Sequence, residues 1–355
     1  MSTLAMLALP FNLQEASRLD YELLNTFENR MRAERLPDDP PISLDEFIQR
    51  VQTIPPLIEV TKWVVWNADR TAIVGAGDVT IFRTADNQHI ADFGIDVLPE
   101  YRRQGIGRCL LGKISDVARR EGRRLMITGT NERMPGGAAF MERLGAEKGL
   151  EAHTNQLDLA ELDRDVLRAW LERGQARAAD FELGFWSGAY PEGQIEQICD
   201  LVTVMNEAPR DNLDVEDCRI TPAEMRQFEA SGIARGVERW TYYVADRSSG
   251  AFAGFTVVYW HPNRPHLLDQ GDTGVFPHYR GKGLGRWLKA AMLDRVVREH
   301  PEVRYVRTGN ANSNGPMLKI NYELGFKPYL AECVWQIATD KVVAYLGQAE
   351  AHVGV

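Results

Sequence analysis

The chain is poor in cysteine: four residues in 355, at Cys109, Cys199, Cys218 and Cys333, with no C-x-x-C pair and no histidine at zinc-finger spacing. A disulfide framework and a structural zinc site are therefore excluded, and reduced thiols point to the cytoplasm. A positive excess is also lacking, because 41 Lys and Arg stand against 50 Asp and Glu, for a net charge of −9. Grip on a phosphate backbone calls for the opposite balance, so no nucleic-acid partner is expected, and cationic small molecules are weakly favoured. No apolar run reaches the roughly 18 residues that suggest a membrane span. Residues 1–13 carry neither a basic leader nor a small-residue cleavage site, which again favours the cytoplasm. No heptad pattern is present from which to read an oligomeric state. What remains is a composition ordinary for a globular protein, 44% hydrophobic and 26% charged. At about 150 residues per domain, the length suggests two domains.

Comparison of the chain with itself supports that division. The run Val97-Leu98-Pro99-Glu100-Tyr101-Arg102-Arg103-Gln104-Gly105-Ile106-Gly107 returns about half a chain length later as Val275-Phe276-Pro277-His278-Tyr279-Arg280-Gly281-Lys282-Gly283-Leu284-Gly285. Val, Pro, Tyr, Arg and two Gly recur in place. Arg143-Leu144-Gly145-Ala146 likewise returns as Glu323-Leu324-Gly325-Phe326. The domains are expected at 1–172 and 181–355, with a polar linker over 172–180.

Each copy predicts the same order of elements. In the first, strands are expected over 63–67, 73–82 and 90–97, with Gly75 and Gly77 as possible bulge or turn points. A helix follows from Ile106 to about Glu121, then a strand over 125–128 and a helix over 138–144 stopped by Gly145. In the second, a strand over 181–186 precedes helices over 195–205 and 221–229, the latter with Thr221 as N-cap and Pro222 in its first turn. Strands are expected over 240–245, 252–260 and 267–275, then a helix over 284–299. A strand over 305–308 and a helix over 317–324 complete the copy. Strands interrupted by single helices indicate a mixed α/β or α+β sheet domain, twice over.

The two glycine loops sit between a strand and the mouth of a long helix. There, backbone N–H groups lack intrahelical partners and the helix dipole adds partial positive charge, so a pyrophosphate is well accommodated. Glycine permits the close approach that a Cβ would block. Arg108, Lys282, Arg286 and Lys289 are basic neighbours that could meet further phosphates. A dinucleotide fingerprint is excluded because Leu110 and Leu288 stand where its third glycine belongs, and neither loop has the Gly-Lys-Ser/Thr of a P-loop.

The Arg-x-x-Gly-x-Gly loop after a Val-x-Pro-x-Tyr strand end resembles the acetyl-CoA signature of the GNAT superfamily of N-acetyltransferases. The pattern Asn314-x-x-Met317…Leu324-Gly325-Phe326 resembles its closing helix and strand, and the likeness spans both halves. The resemblance implies two GNAT-like domains in tandem, each a twisted, mostly antiparallel sheet flanked by helices. Acetyl-CoA is implied as co-substrate, and no metal. Its pyrophosphate would lie on Arg102, Arg103, Gln104, Gly105, Ile106, Gly107 and Arg108, or on Arg280, Gly281, Lys282, Gly283, Leu284, Gly285 and Arg286. Val97 and Val275 would flank its pantetheine, with Asn314 nearby. A small-molecule primary amine would attack the thioester directly in a ternary complex, assisted by positioning and by polarisation of the carbonyl oxygen.

The copies diverge beyond the loop. Positions that carry Asn and Tyr in the family hold Asn314 and Asn321 in the second copy but Met134 and Met141 in the first. The resemblance makes Tyr322, one residue along, the candidate acid for the departing thiolate. For the base it offers Asp269, Asp272 if the strand carries a bulge, or His266; Asp92 and Asp96 correspond in the first copy. Strand alternation places Asp269 on one face with Gly271, Thr273 and Val275. Chemistry is therefore expected in the second copy, with polyamines, aminoglycosides or aminoacyl-like metabolites among the acceptors. The rival expectation is a CoA-binding protein without catalysis. Trp186, Trp240, Tyr242, Tyr243, Tyr259 and Trp260 read mostly as core, one or two of them as acceptor-pocket lining.

Overall fold

The computed structural model describes residues 7–177 and 179–351. Residues 1–6 of the terminal stretch and residue 178 of the expected linker lie outside the described residues. The chain divides into two compact units: one comprises residues up to 150 with 212–215 and those from 332 onward, the other 151–211 with 216–331. Of the expected linker over 172–180, residues 172–177 are the last turns of a helix and residues 179–180 lead into a strand that starts at Phe181, within the second unit.

The first unit is built from β1 (Leu9–Phe11), α1 (Arg18–Arg35), α2 (Leu44–Gln52), β2 (Ile58–Trp66), β3 (Ile73–Phe82), β4 (Ile90–Val97), α3 (Ile106–Arg120), β5 (Leu125–Asn131) and α4 (Pro135–Leu144). Two elements from the end of the chain complete it: residues 332–338 of β12 (Lys327–Ala338) and α10 (Thr339–Ala351). Its strand order is β1-β2-β3-β4-β5-β12, antiparallel except for β4 and β5. Helix α1 starts at a capping box, Ser17 Oγ accepting from Asp20 N at 3.1 Å while Asp20 Oδ2 accepts from Ser17 N at 3.0 Å. It buries Tyr21, Leu24, Phe27 and Met31 from one face. Gly75 and Gly77 make no turn, for β3 runs through both. A Cβ at Gly75 would stand 2.7 Å from Ile106 Cγ2, so the missing side chain lets α3 settle on the sheet. The bulge lies alongside, Val65 pairing with Gly75 and Trp66 with Ile73.

The second unit holds residues 151–158 of β6 (Glu147–Asp158), then α5 (Arg164–Arg177), β7 (Phe181–Ser187), α6 (Ile195–Val202), α7 (Pro222–Ala234), β8 (Glu238–Asp246), β9 (Phe252–Trp260) and β10 (Leu267–Val275). Helix α8 (Leu284–Glu299), β11 (Tyr305–Ala311) and α9 (Gly315–Glu323) follow. Its order is β6-β11-β10-β9-β8-β7, antiparallel except for β10 and β11. Both faces are covered. Phe255 and Val257 of β9 join the cluster formed with α6 and α7, whereas Val258 joins the one formed with α5 and α8. That is why β9 reads as a continuous apolar run and not as an alternation. Among the described residues, no helix is long and apolar enough to cross a membrane.

In each unit the one parallel pair is short. Residues 90–92 pair with 125–127, and 267–269 with 305–307; the rest of β4 and β10 has no ladder partner on that side among the described residues. Each sheet therefore opens beside the strand that leads into a glycine loop.

Candidate active site

Strand β10 carries the local feature that builds the site. Gln270 pairs with Val258 and Thr273 with Thr256, so Gly271 and Asp272 together oppose Val257 alone. This bulge corrects the expected alternation. Gln270 and Thr273, not Asp269 and Thr273, share a face, because the additional residue shifts the phase of everything after it. Their polar ends are satisfied inside: Gln270 Nε2 donates to Thr256 Oγ1 at 3.1 Å and to Val257 O at 2.7 Å, and the Thr256 and Thr273 hydroxyls meet at 2.7 Å. Gln270 thus holds the carbonyl opposite the bulge.

Beyond β10, Pro277–Tyr279 form a single 3-10 turn, and Gly281 and Gly283 take φ of 80° and 83°. Only glycine adopts that region without strain. Gly283 is the N-cap of α8 and offers no side chain, so the helix mouth is uncapped and its first N–H groups point outward. They open on a cleft of about 700 Å³. Of the residues expected on the co-substrate, Val275, Arg280, Gly281, Gly283, Leu284, Gly285, Arg286 and Asn314 line this cleft. Lys282 does not; its Nζ sits 4.8 Å from the centre of the Phe181 ring. Asn314 Oδ1 caps α9 by accepting from Met317 N at 3.4 Å. Arg286 makes a two-point contact with Glu323, at 2.9 and 3.0 Å.

Sequence reasoning missed the opposite wall. Trp170 and Arg173 come from α5, and Val204 and Met205 from the 3-10 turn after α6. Helix α5 was not read from the sequence and Arg173 fell within the expected linker, while Val204 and Met205 fell within the helix expected over 195–205, which was not assigned to the site. Lys289, expected among the phosphate partners, is instead 1% exposed. Its Nζ donates to Asn321 Oδ1 at 2.8 Å, and Asn321 Nδ2 donates to Asn310 Oδ1 at 2.7 Å. Burial pushes its ammonium down to about 7.

The acid and base candidates are dispersed. Tyr322 is 48% exposed and does not line the cleft. Asp269 faces Arg264 at 3.9 Å, and His266 Nδ1 lies 2.9 Å from Glu302 O. Asp272 lines a second cavity, where burial among neighbouring atoms raises its carboxyl pKa although water still reaches it.

The first unit repeats the trace with different side-chain partners. Gly105, at φ 87°, is again an N-cap without a side chain, opening α3. Here, however, Arg102 is clamped by Glu34 at 2.8 and 2.5 Å, and Asp96 by Arg35 at 3.0 and 2.8 Å. Val97 O accepts from Arg102 Nε at 3.0 Å, while Arg103 turns to φ 62° and Gln104 and Arg108 are exposed. Ile106 is buried against the sheet, and Gly107 has only Ile95 near its missing Cβ. Asp92 is pushed up to about 6 by burial. The β3–β4 ladder runs from Gly75↔Val97 to Thr80↔Asp92 with no bulge.

A sheet that opens beside a glycine loop, twice in one chain, has its counterpart among known proteins. The chain belongs to the acetyltransferase (GNAT) family, whose profile matches residues 23–146 and 205–326. Among solved structures it is similar to a tandem GNAT protein from the clavulanic acid biosynthesis pathway, at 26% identity and TM-score 0.73, covering 94% of this chain and 98% of that one. It shares the fold of a GCN5-related N-acetyltransferase from Sphaerobacter thermophilus, at 13% identity and TM-score 0.64, over 91% of this chain and 94% of that one. No curated protein matches it in sequence.

Proposed function

We propose that the protein is an acetyl-CoA-dependent N-acetyltransferase of the cytoplasm, acting on a small-molecule primary amine, with its chemistry in the second unit. The observation that carries this reading is the uncapped mouth of α8 at Gly283, opening on a cleft walled by the bulged strand β10. The diphosphate would accept from the N–H groups that begin α8, with Arg280 beside it. Arg280 spends its Nε on Val275 O at 2.9 Å and has no carboxylate partner among the described residues. The pantetheine would run along Thr273, Gly274 and Val275, where β10 has parted from β11. A thioester carbonyl set against the unpaired backbone of the bulge would be polarised where negative charge develops in the attack.

The reading is tested by release of free thiol from acetyl-CoA against an amine library, with Gly283→Asp and Gly105→Asp alongside. Gly283→Asp sets a carboxylate and a strained φ at the helix mouth, and is expected to abolish turnover, whereas Gly105→Asp leaves most of it. Equal loss in both overturns the division of labour. One observation favours a second reading, acetyl-CoA binding without transfer: the acidic residue that α9 brings to the cleft, Glu323, is bound at two points by Arg286, while Asn321 is held by Lys289 and Tyr322 points elsewhere. Calorimetric binding with no thiol release from any amine would select it.

A further inference from the structure

A second cavity, of about 320 Å³, lies against Phe255, Val257 and Tyr259 of β9. It and the large cleft share the bulged stretch of β10: Asp272 lines the one, and Thr273 and Gly274 line the other. Adjacent Cα atoms are only about 3.8 Å apart, so the two recesses approach one another across the backbone of this stretch, Asp272 on one side of β10 and Thr273 on the other. Gly271 assists, since a Cβ there would stand 2.9 Å from the Tyr259 ring.

The cavity has an apolar floor and mouth, with Glu229, Arg235, Arg239 and Asp272 as its charged lining; Arg239 is paired with Glu229 at 2.6 Å, and Arg235 Nε donates to Ser231 O at 3.2 Å. Met225, Phe255 and Val257 are buried beneath it. Of the seven large apolar side chains exposed among the described residues, three stand here: Phe228 at 38%, Ile233 at 58% and Tyr259 at 39%. Such clustering at a concave mouth marks a binding surface. The charges within are unequal in kind. Glu229 is already satisfied, accepting from Tyr190 N at 2.7 Å, from Arg239 at 2.6 Å and from Arg226. Asp272 has no hydrogen bond or counter-ion among the described residues. One carboxylate is left to be matched.

We propose that this cavity is the acceptor site and takes a primary monoamine on a compact apolar body, its nitrogen at Asp272. The proposal rests on the large cleft holding acetyl-CoA. The volume has room for roughly ten water-sized groups, which suits an arylalkyl or short alkyl amine. Polyamines and aminoglycosides would bring further ammonium groups to a recess with no open carboxylate for them, and an unpaired charge there is costly. In the transfer, the ammonium gives one proton to the Asp272 carboxylate. The neutral nitrogen forms the new C–N bond at the thioester carbonyl carbon, the C–S bond breaks, and the second nitrogen proton passes to the sulfur. The products are the N-substituted acetamide and CoA thiol, and Asp272 returns its proton to water.

The test measures thiol release at saturating acetyl-CoA with 2-phenylethylamine, hexylamine, spermidine and kanamycin. The monoamines are expected to show at least tenfold higher kcat/KM. Phe228→Ser and Ile233→Ser, both at exposed positions, should raise KM for 2-phenylethylamine about tenfold and leave KM for acetyl-CoA in place. Asp272→Asn should lower kcat by about 100-fold. Preference for spermidine or kanamycin, or an amine KM indifferent to both serine variants, overturns the proposal. Should no amine turn over, ligand-observed NMR with 2-phenylethylamine alone separates the two readings. Binding that is lost in Phe228→Ser supports the cavity and defeats the transferase, and no binding defeats the cavity as well.

Discussion

At the scale of single residues, Lys289 has the environment least like that of an ordinary surface lysine. Its nitrogen has exchanged water for one amide oxygen, that of Asn321. One neutral acceptor does not replace a hydration shell, so the charged form is disfavoured and the pKa falls from 10.5 to about 7. Between those values the unfolded chain holds a proton that the folded chain has released, so stability rises with pH across that window; below about 7 both states hold it and the contribution is constant. Lys289→Met deletes this dependence. In urea denaturation, the stability of wild type minus variant is expected to grow by about 2–3 kcal/mol from pH 7 to pH 9. A difference that stays flat would show that the amine remains charged. Its inward position was readable, for Lys289 lies on the stripe of Gly285, Met292 and Val296, which faces the sheet. Residue type argued the other way, and the helical period proved the better guide.

At the scale of elements, the cleft depends on how closely β9 and β10 approach. A Cβ at Gly254 would stand 2.5 Å from Gly274 O and 3.0 Å from Val275 Cα, both backbone atoms that cannot swing aside. Gly254→Ala is therefore expected to cost about 1–3 kcal/mol and to weaken acetyl-CoA binding together with stability, since Gly274 and Val275 wall the cleft. Urea denaturation and calorimetry on the same preparation check this; full stability with unchanged affinity would refute it. The elements that frame the cleft were the legible ones. The bounds of β3, β4, β9, β10 and α8 follow from apolar patterning that occurs twice, bracketed by Pro and Gly. Those not read were β1, α1, α2, α5, β6, β12 and α10. Strand β6, with its Lys, Glu, His and Asn, has no clean alternation, and what fixes it is its ladder with β11. Helix α1, by contrast, carried a readable signature in Ser17, Asp20 and the Tyr21–Leu24–Phe27–Met31 stripe. The loop glycines Gly105, Gly281 and Gly283 were legible because positive φ favours glycine, although Arg103 takes φ 62° where the second copy has Gly281. The bulge at Gly271 and Asp272 was legible only as an alternative, since it is set by pairing across to Val257.

At the scale of the whole molecule, duplication poses the question of how many co-substrates one chain takes. Both copies keep the glycine N-cap, at φ 87° and 83°, and both open their sheet beside it. If an uncapped helix mouth were sufficient, two would bind. The surroundings argue for one. In the first unit Arg102 is bound at two points by Glu34, so a diphosphate would have to break a charge-assisted pair and then lie beside the released carboxylate. Arg280 faces no such competitor among the described residues. The regular β3–β4 ladder also leaves no bulge there to turn backbone N–H groups toward a thioester. Each difference acts against binding at the first site, one at the phosphate and one at the carbonyl. Calorimetric titration of acetyl-CoA into the intact chain is therefore expected to give one site, unaffected by Glu34→Gln at ordinary salt. Two equivalent sites would show that the Arg102–Glu34 pair yields readily to the ligand, and that the same loop suffices in either setting.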